Sequence, residues 1–293
     1  MRPMNDVHLF CFGLGYTGAA LARAVLARGG RVTGTCREPA KAEALARLGA
    51  TPLLFDRLHP LADLDRHLGT ATHLLSAVPP DETGEPVLDM HGAAIAAAAL
   101  RLNWIGYLST TGVYGDRAGG WVDEASALEP TGTRGRRRVA AESAWGALPL
   151  PAHLFRLAGI YGPGRSALDT VRAGKAKRIH KPGQVFSRIH VDDIVAVLLA
   201  SMAKPNPGAA YNVCDDDPAD PSAVIAFACD LLGVAPPPEI PFEEAALSPM
   251  ARSFYDDNKR VKNDRIKREL GVTLRYPSYR DGLRAQRAAE KAR

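Results

Sequence analysis

Apolar residues fall into short runs that alternate with longer stretches of good helix formers. Val7 to Phe12 is an apolar run, followed by a glycine-rich turn and by Ala19 to Arg28, which reads as a helix. Arg31 to Cys36 predicts a second strand, Ala40 to Leu48 a second helix, and Pro52 to Phe55 a third strand ending on Asp56. The alternation continues through His73 to Val78, an alanine-rich helix from about Val87 to Leu102, and a strand from Trp104 to Leu108. A helix from Arg134 to Trp145 then precedes a strand from His153 to Leu157. Strands alternating with helices in this way predict an α/β fold: a doubly wound parallel sheet covered on both faces, with right-handed crossovers.

Beyond Gly159 the regular pattern breaks at Gly162-Pro163-Gly164. A short helix near Leu168 to Arg172, an isolated strand near Val185 to Ile189, a helix from Val191 to Met202 and a strand from Ala210 to Val213 are expected, with proline clusters marking the loops between small elements. The helix at Val191 is expected to return to the main sheet. Residues 1–158 plus about 190–214 are therefore read as the sheet domain, and about 159–189 plus 215–293 as a smaller, interlaced substrate or lid domain.

Composition narrows the reading. With 293 residues, 46% hydrophobic and 24% charged, the chain can bury a full core. No apolar stretch is long enough to cross a bilayer and no signal core stands near the start, so a cytoplasmic protein with no membrane partner is expected. The four cysteines are far apart and lack zinc-ligand spacing, so no metal site is expected. Residues 252–293 hold 13 Lys/Arg against 6 Asp/Glu, leaving 24 against 26 elsewhere, so the net charge of +5 belongs to the tail. Without interleaved aromatics or a binding motif, that tail reads as a solvated helical surface and no nucleic-acid partner is expected.

Gly13, Gly15 and Gly18 have GxGxxG spacing where the first strand hands over to a helix. Such a turn lets a pyrophosphate approach the backbone and the helix N-terminus attract its charge, so a dinucleotide is the expected cofactor. The second strand ends on Thr35, Cys36 and Arg37 rather than on a carboxylate, which favours NADP, with NAD as the alternative. Asp56 is read either as an acceptor for the adenine amine or as a turn cap.

The glycine loop, STTGVYG from Ser109 to Gly115, FRLAGIYGPGR from Phe155 to Arg165, RIHVDDI from Arg188 to Ile194, YNVCDD from Tyr211 to Asp216, and the tail from Arg265 to Leu283 occur together. This set resembles the extended short-chain dehydrogenase/reductase family, the NAD(P)-dependent epimerases and dehydratases, across nearly the whole chain. The resemblance implies a Rossmann fold, a small polar substrate such as a sugar nucleotide, and pairing of two chains as a homodimer. It implies a cofactor set of Gly13, Gly15, Tyr16, Thr17, Gly18, Arg37, Asp56, Ala77, Val78 and Arg138.

The resemblance also implies a catalytic tyrosine four residues before a lysine, the tyrosine acting as acid/base. Those positions fall on Arg134 and Arg138, and the chain has no tyrosine from Gly115 through Ile160 and no lysine from Ala42 through Gly174. Arginine stays protonated and cannot shuttle the proton. Arg138 is read either as a grip on the nicotinamide ribose or as part of an exposed helix face. Ser109, Thr110 and Thr111 are expected to position a substrate oxygen. Tyr161 and Tyr114 are read either as packed rings or as residues entering the cleft. Asp192 or Asp193 beside His190 is expected to act as an N-terminal helix acid. Two functions remain: an NADP(H)-dependent oxidoreductase or epimerase-like enzyme with a non-standard site, and a non-catalytic NADP(H)-sensing regulator.

Overall fold

A computed structural model of the protein describes residues 3–292. The chain divides into two compact units, one made of Met1–Thr110, Arg136–Arg156 and Val195–Tyr211, the other of Thr111–Gly135, Leu157–Ile194 and Asn212–Arg293.

The body of the first unit is a seven-stranded, all-parallel sheet. Strands β1 (His8–Phe12), β2 (Arg31–Cys36), β3 (Thr51–Leu54), β4 (His73–Ser76) and β5 (Trp104–Thr110) are joined by His153–Leu157 and Ala210–Val213. Helices α1 (Tyr16–Leu26), α2 (Pro39–Arg47), α3 (Leu64–Leu68), α4 (Pro86–Ala99) and α5 (Thr133–Gly146) alternate with them. From one edge the order is β3, β2, β1, β4, β5, His153–Leu157, Ala210–Val213, so successive connections run outward in opposite directions from the β1/β4 boundary. Such a switch point opens a crevice at the carboxyl ends of the strands.

The composition of β1 suits its interior place in the sheet: all five residues of HLFCF are buried, as in a strand covered on both faces. Phe10 and Phe12 meet edge-on at 4.9 Å, and Phe55 meets Phe12 at 5.5 Å. On the other side of the sheet, Trp104 stacks on His153 at 5.6 Å and donates its indole N–H to the Ser201 hydroxyl at 3.0 Å. A buried tryptophan that satisfies its one donor fixes ring position as well as area. Helix α4 starts where expected because Glu85 accepts the Leu88 N–H at 2.6 Å and Pro86 occupies the first turn.

The second unit is built from short parallel pairings between distant segments: Gly159–Tyr161 with Arg188–His190, Trp121–Val122 with Arg260–Val261, and Arg178–His180 with Glu239–Pro241. The expected strand at Val185 to Ile189 therefore falls later, at Arg188–His190. Phe186 instead makes an isolated bridge with Ala219. The basic tail is more than a solvated surface. Helix Tyr279–Lys291 buries Tyr279 and Leu283 against Val224 and Ala228, and starts on a capping box of Ser278 and Asp281. Asp193 is not limited to a helix-terminal charge. Its two carboxylate oxygens accept the N–H groups of Arg275 and Tyr276 at 2.7 and 3.0 Å, fastening the tail.

Asp215 is 1% exposed, and its Oδ2 lacks a hydrogen-bond partner. Burial pushes its pKa up to about 8. Since the folded value lies above the ordinary 3.8, the folded chain holds a proton that the unfolded chain releases between those limits. Stability then falls with rising pH across that window, by up to about 1.4 kcal/mol per unit, and levels off above it. Asp215→Asn is expected to flatten this slope and to melt higher than the parent at pH 8. Thermal melts at pH 5 and pH 8 check it, and equal slopes would show that Asp215 ionises normally.

Candidate functional site

The turn after β1 is set by three contacts. Gly13 N–H donates to the Thr35 hydroxyl at 2.8 Å, Leu14 N–H to the Thr35 carbonyl at 2.7 Å, and Gly15 N–H to the Gly13 carbonyl at 2.7 Å. Gly13 has φ +85°, a conformation that only glycine adopts without strain. A Cβ on Gly18 would stand 2.5 Å from the Gly13 carbonyl oxygen, so helix α1 packs on the strand only because this residue has no side chain. Gly15 differs. A Cβ there would meet only the Gly13 oxygen at 3.9 Å, so nothing among the described residues requires a glycine at this position. What its missing side chain preserves is open space directly before the first turn of α1, where a diphosphate fits.

Around this turn, Val78 lies against Gly13, and the Ala77 N–H donates to the Phe12 carbonyl at 2.8 Å. Thr17 is buried, while Tyr16 is half-buried at the helix start. Arg37 is exposed just beyond β2, with no partner among the described residues. Asp56 uses Oδ1 to accept the N–H groups of Leu58 and His59 at 2.8 and 3.0 Å, which makes it a turn cap; that oxygen is not free for adenine. Arg57 was missed by sequence reasoning. It binds Asp81 at 2.5 Å and Asp89 at 2.6 Å, tying the loop after β3 to the loop after β4 and to the first turn of α4. Its partners lie 24 and 32 residues away, so no local pattern signals them.

At the end of β5, Ser109 is 4% exposed and donates to Glu142 Oε1 at 2.5 Å. Glu142 is also held by Arg156, with Nη2 to Oε2 at 2.8 Å. The Ser109 hydroxyl therefore points into a buried ionic network rather than toward a substrate. Thr110 is half-buried at the strand end, and Thr111 opens the 3-10 turn Thr111–Tyr114 of the second unit. Arg138 is half-buried and donates through one terminal nitrogen to the Tyr107 hydroxyl at 2.9 Å and the Leu108 carbonyl at 2.5 Å. It is therefore no mere surface residue. A permanent cation is pinned beside the last turn of β5.

Within the second unit, Arg134 lies over the Phe254 ring at 4.6 Å and donates to the Ser253 hydroxyl at 2.9 Å. Tyr114 is buried and donates to Asn212 Oδ1 at 2.7 Å. Tyr161 is 7% exposed, rests against Gly282, and directs its hydroxyl to the Ser278 carbonyl at 3.4 Å. Burial raises its phenol pKa above the ordinary value, which removes it as a proton shuttle at neutral pH. Among the described residues, no group of three or more His, Cys, Asp or Glu could hold a metal ion, and no helix is long and apolar enough to cross a membrane.

Two substitutions separate the roles of the glycines. Gly18→Ala is expected to lower stability by about 1–3 kcal/mol, because the helix must move off the strand. Gly15→Ala is expected to leave the melting temperature unchanged while weakening dinucleotide binding. Thermal melts and a cofactor titration on both variants check this, and a large loss of stability in Gly15→Ala would contradict it. Arg156→Gln is expected to cost about 3 kcal/mol by leaving the Glu142 carboxylate buried without its counter-charge, read by denaturant unfolding.

No family model matches the chain. Protein YeeZ of Escherichia coli (strain K12) is 30% identical to it over 280 residues, spanning 90% of this chain and 94% of YeeZ. The solved structure of a functionally unknown conserved protein from Silicibacter pomeroyi DSS is 55% identical and superposes with a TM-score of 0.90, over 97% of this chain and 99% of that one. A protein of Methylobacillus flagellatus, provisionally assigned as an NAD-dependent epimerase/dehydratase, is 26% identical with a TM-score of 0.74, over 98% and 100% of the two chains. Full-length likeness of this order, on a sheet wound in the same sense about a glycine turn, makes the chain a member of the extended short-chain dehydrogenase/reductase family.

Proposed function

We propose that the protein is an NADP(H)-dependent oxidoreductase of the epimerase/dehydratase type, acting on a carbonyl or hydroxyl of a small polar substrate. The observation that carries this reading is the open space over Gly15 at the start of α1, which the protein's own packing does not explain and a diphosphate would fill. Arg37 stands unpartnered at the end of β2, where a 2′-phosphate would find a charge-assisted donor. The Methylobacillus flagellatus relative, named for NAD dependence, supports a nicotinamide dinucleotide of one kind or the other.

The bound cofactor would supply or accept a hydride. The chain's own residues would do the rest. The first turn of α1 would hold the diphosphate on its N–H groups, and Thr110 would direct a substrate oxygen by hydrogen bonding. Arg138, pinned by Tyr107 and the Leu108 carbonyl, would favour negative charge at that oxygen without exchanging a proton with it. Ser109, Glu142 and Arg156 would keep the strand end rigid from beneath.

A second reading, an NADP(H)-sensing regulator without turnover, is favoured by one observation. The position that the family resemblance gives to the acid/base tyrosine is Arg134, and its guanidinium is engaged by Phe254 and Ser253. Fluorescence titration with NADPH and NADH, followed by a screen of sugar nucleotides and aldehydes for NADPH oxidation, separates the two. Turnover of any substrate supports the enzyme, and tight binding with none supports the sensor. Arg37→Asp is expected to weaken NADPH binding by about tenfold or more while sparing NADH, and equal losses for both would remove the 2′-phosphate role. Arg138→Ala is expected to weaken NADPH binding as well, whereas unchanged binding would limit Arg138 to bracing Tyr107.

A further inference from the structure

The second unit contains a cavity of about 580 Å³ that the proposed cofactor chemistry does not use. Its inner wall is apolar, formed by Val224 and Leu283 with the rings of Tyr161 and Tyr279. Its charged lining is lopsided: Arg165, Lys175, Lys177 and Arg188 against the single carboxylate Asp169. That carboxylate is already engaged, since its Oδ2 accepts the Ser166 N–H and hydroxyl at 2.8 and 2.7 Å. The Lys177 ammonium donates to the Ala246 carbonyl at 3.0 Å, while the Lys175 ammonium has no partner among the described residues.

Arg188 is the cation most in need of an anion. It is half-buried, and one terminal nitrogen donates to the carbonyls of Phe186 and Ala219 at 2.8 and 3.1 Å. Among the described residues no carboxylate lies within ion-pair distance of it. Burial lowers its pKa from the usual guanidinium value, as expected of a desolvated cation whose counter-charge is too distant. The neighbouring acid, Asp215, lies beyond ion-pair distance and offsets that charge only in part, so burial still prevails. A desolvated, incompletely matched cation at the edge of an open cavity favours an incoming anion.

We propose that this cavity is a binding site for a phosphate monoester of an apolar or aromatic alcohol, separate from the dinucleotide turn. The phosphate meets Arg188 and Lys175, and the organic group lies against Leu283 and Val224 between the two tyrosine rings. Neither half of the lining suffices alone. Apolar walls without cations would take a neutral ligand, and surface lysines without walls would take any anion weakly.

Calorimetric titration of the full chain with phenyl phosphate, inorganic phosphate and benzyl alcohol tests this. Phenyl phosphate is expected to bind with a dissociation constant of about 1 mM or tighter, and more tightly than either fragment. Arg188→Gln is expected to weaken it by about tenfold or more, and Lys175→Gln by a smaller factor. Ala173→Trp, at an exposed lining position, fills the cavity without touching the core and is expected to abolish binding, which decides the matter if Arg188→Gln fails to fold. Unchanged phenyl phosphate affinity in the presence of saturating NADPH supports a separate site. Displacement by NADPH, no measurable binding by the parent chain, or full affinity in Ala173→Trp would each overturn the proposal.

Discussion

The first unit depends on a close approach between two glycines. Helix α1 can lie on β1 only because Gly18 offers no Cβ to the Gly13 carbonyl, and Gly13 can turn the chain only because it accepts a positive φ. That approach aims the start of α1 at the β1/β4 switch point of the sheet. Thr35 then fixes the turn through both its hydroxyl and its carbonyl. At the turn, packing accounts for the glycines at positions 13 and 18 but not for the one at position 15, and that difference is what the proposed diphosphate site rests on.

The end of β5 is braced by a buried ionic network. Ser109, Glu142 and Arg156 form a dry, charge-balanced strut, and breaking such a strut leaves an unpaired buried charge. The two positions that the family resemblance gives to tyrosine and lysine are both arginines, and each is engaged by its own partners. Arg138 stays with the sheet, bonded to Tyr107 and the Leu108 carbonyl, whereas Arg134 is engaged by Ser253 and Phe254. Whatever reaction the protein supports must manage protons without a side chain at either position that can release one near neutrality.

Much of the sheet unit was legible in the sequence because most of its strands and helices announce themselves locally, the five-residue α3 at Leu64–Leu68 being the element that was missed. The apolar run before Gly13 and the alanine-rich stretch after Pro86 needed no distant partner to be recognised. The second unit was less legible for the opposite reason. Trp121–Val122 is a strand only because Arg260–Val261 lies beside it, and Arg178–His180 only because Glu239–Pro241 does. The burial of Ser109 was out of reach, since it depends on where the Glu142 carboxylate comes to rest, whereas the turn cap at Asp56 was one of two readings that only the positions of the Leu58 and His59 N–H groups could separate. The bridge from Arg57 to Asp81 and Asp89 joins a loop to another loop and to a helix start that no periodicity connects.

The clamp of Asp193 on the amides of Arg275 and Tyr276 has a consequence for how the chain is made. A ribosome releases the polypeptide from its first residue onward, so Asp193 emerges long before the amides it is to hold. Until then its carboxylate must stay hydrated. The pairing of Val122 with Val261 waits in the same way. The second unit can close only after residue 276 has emerged, whereas β1 through β5 can begin to pair much earlier, so nascent chains stalled before residue 260 would carry a finished glycine turn while the second unit is still unassembled.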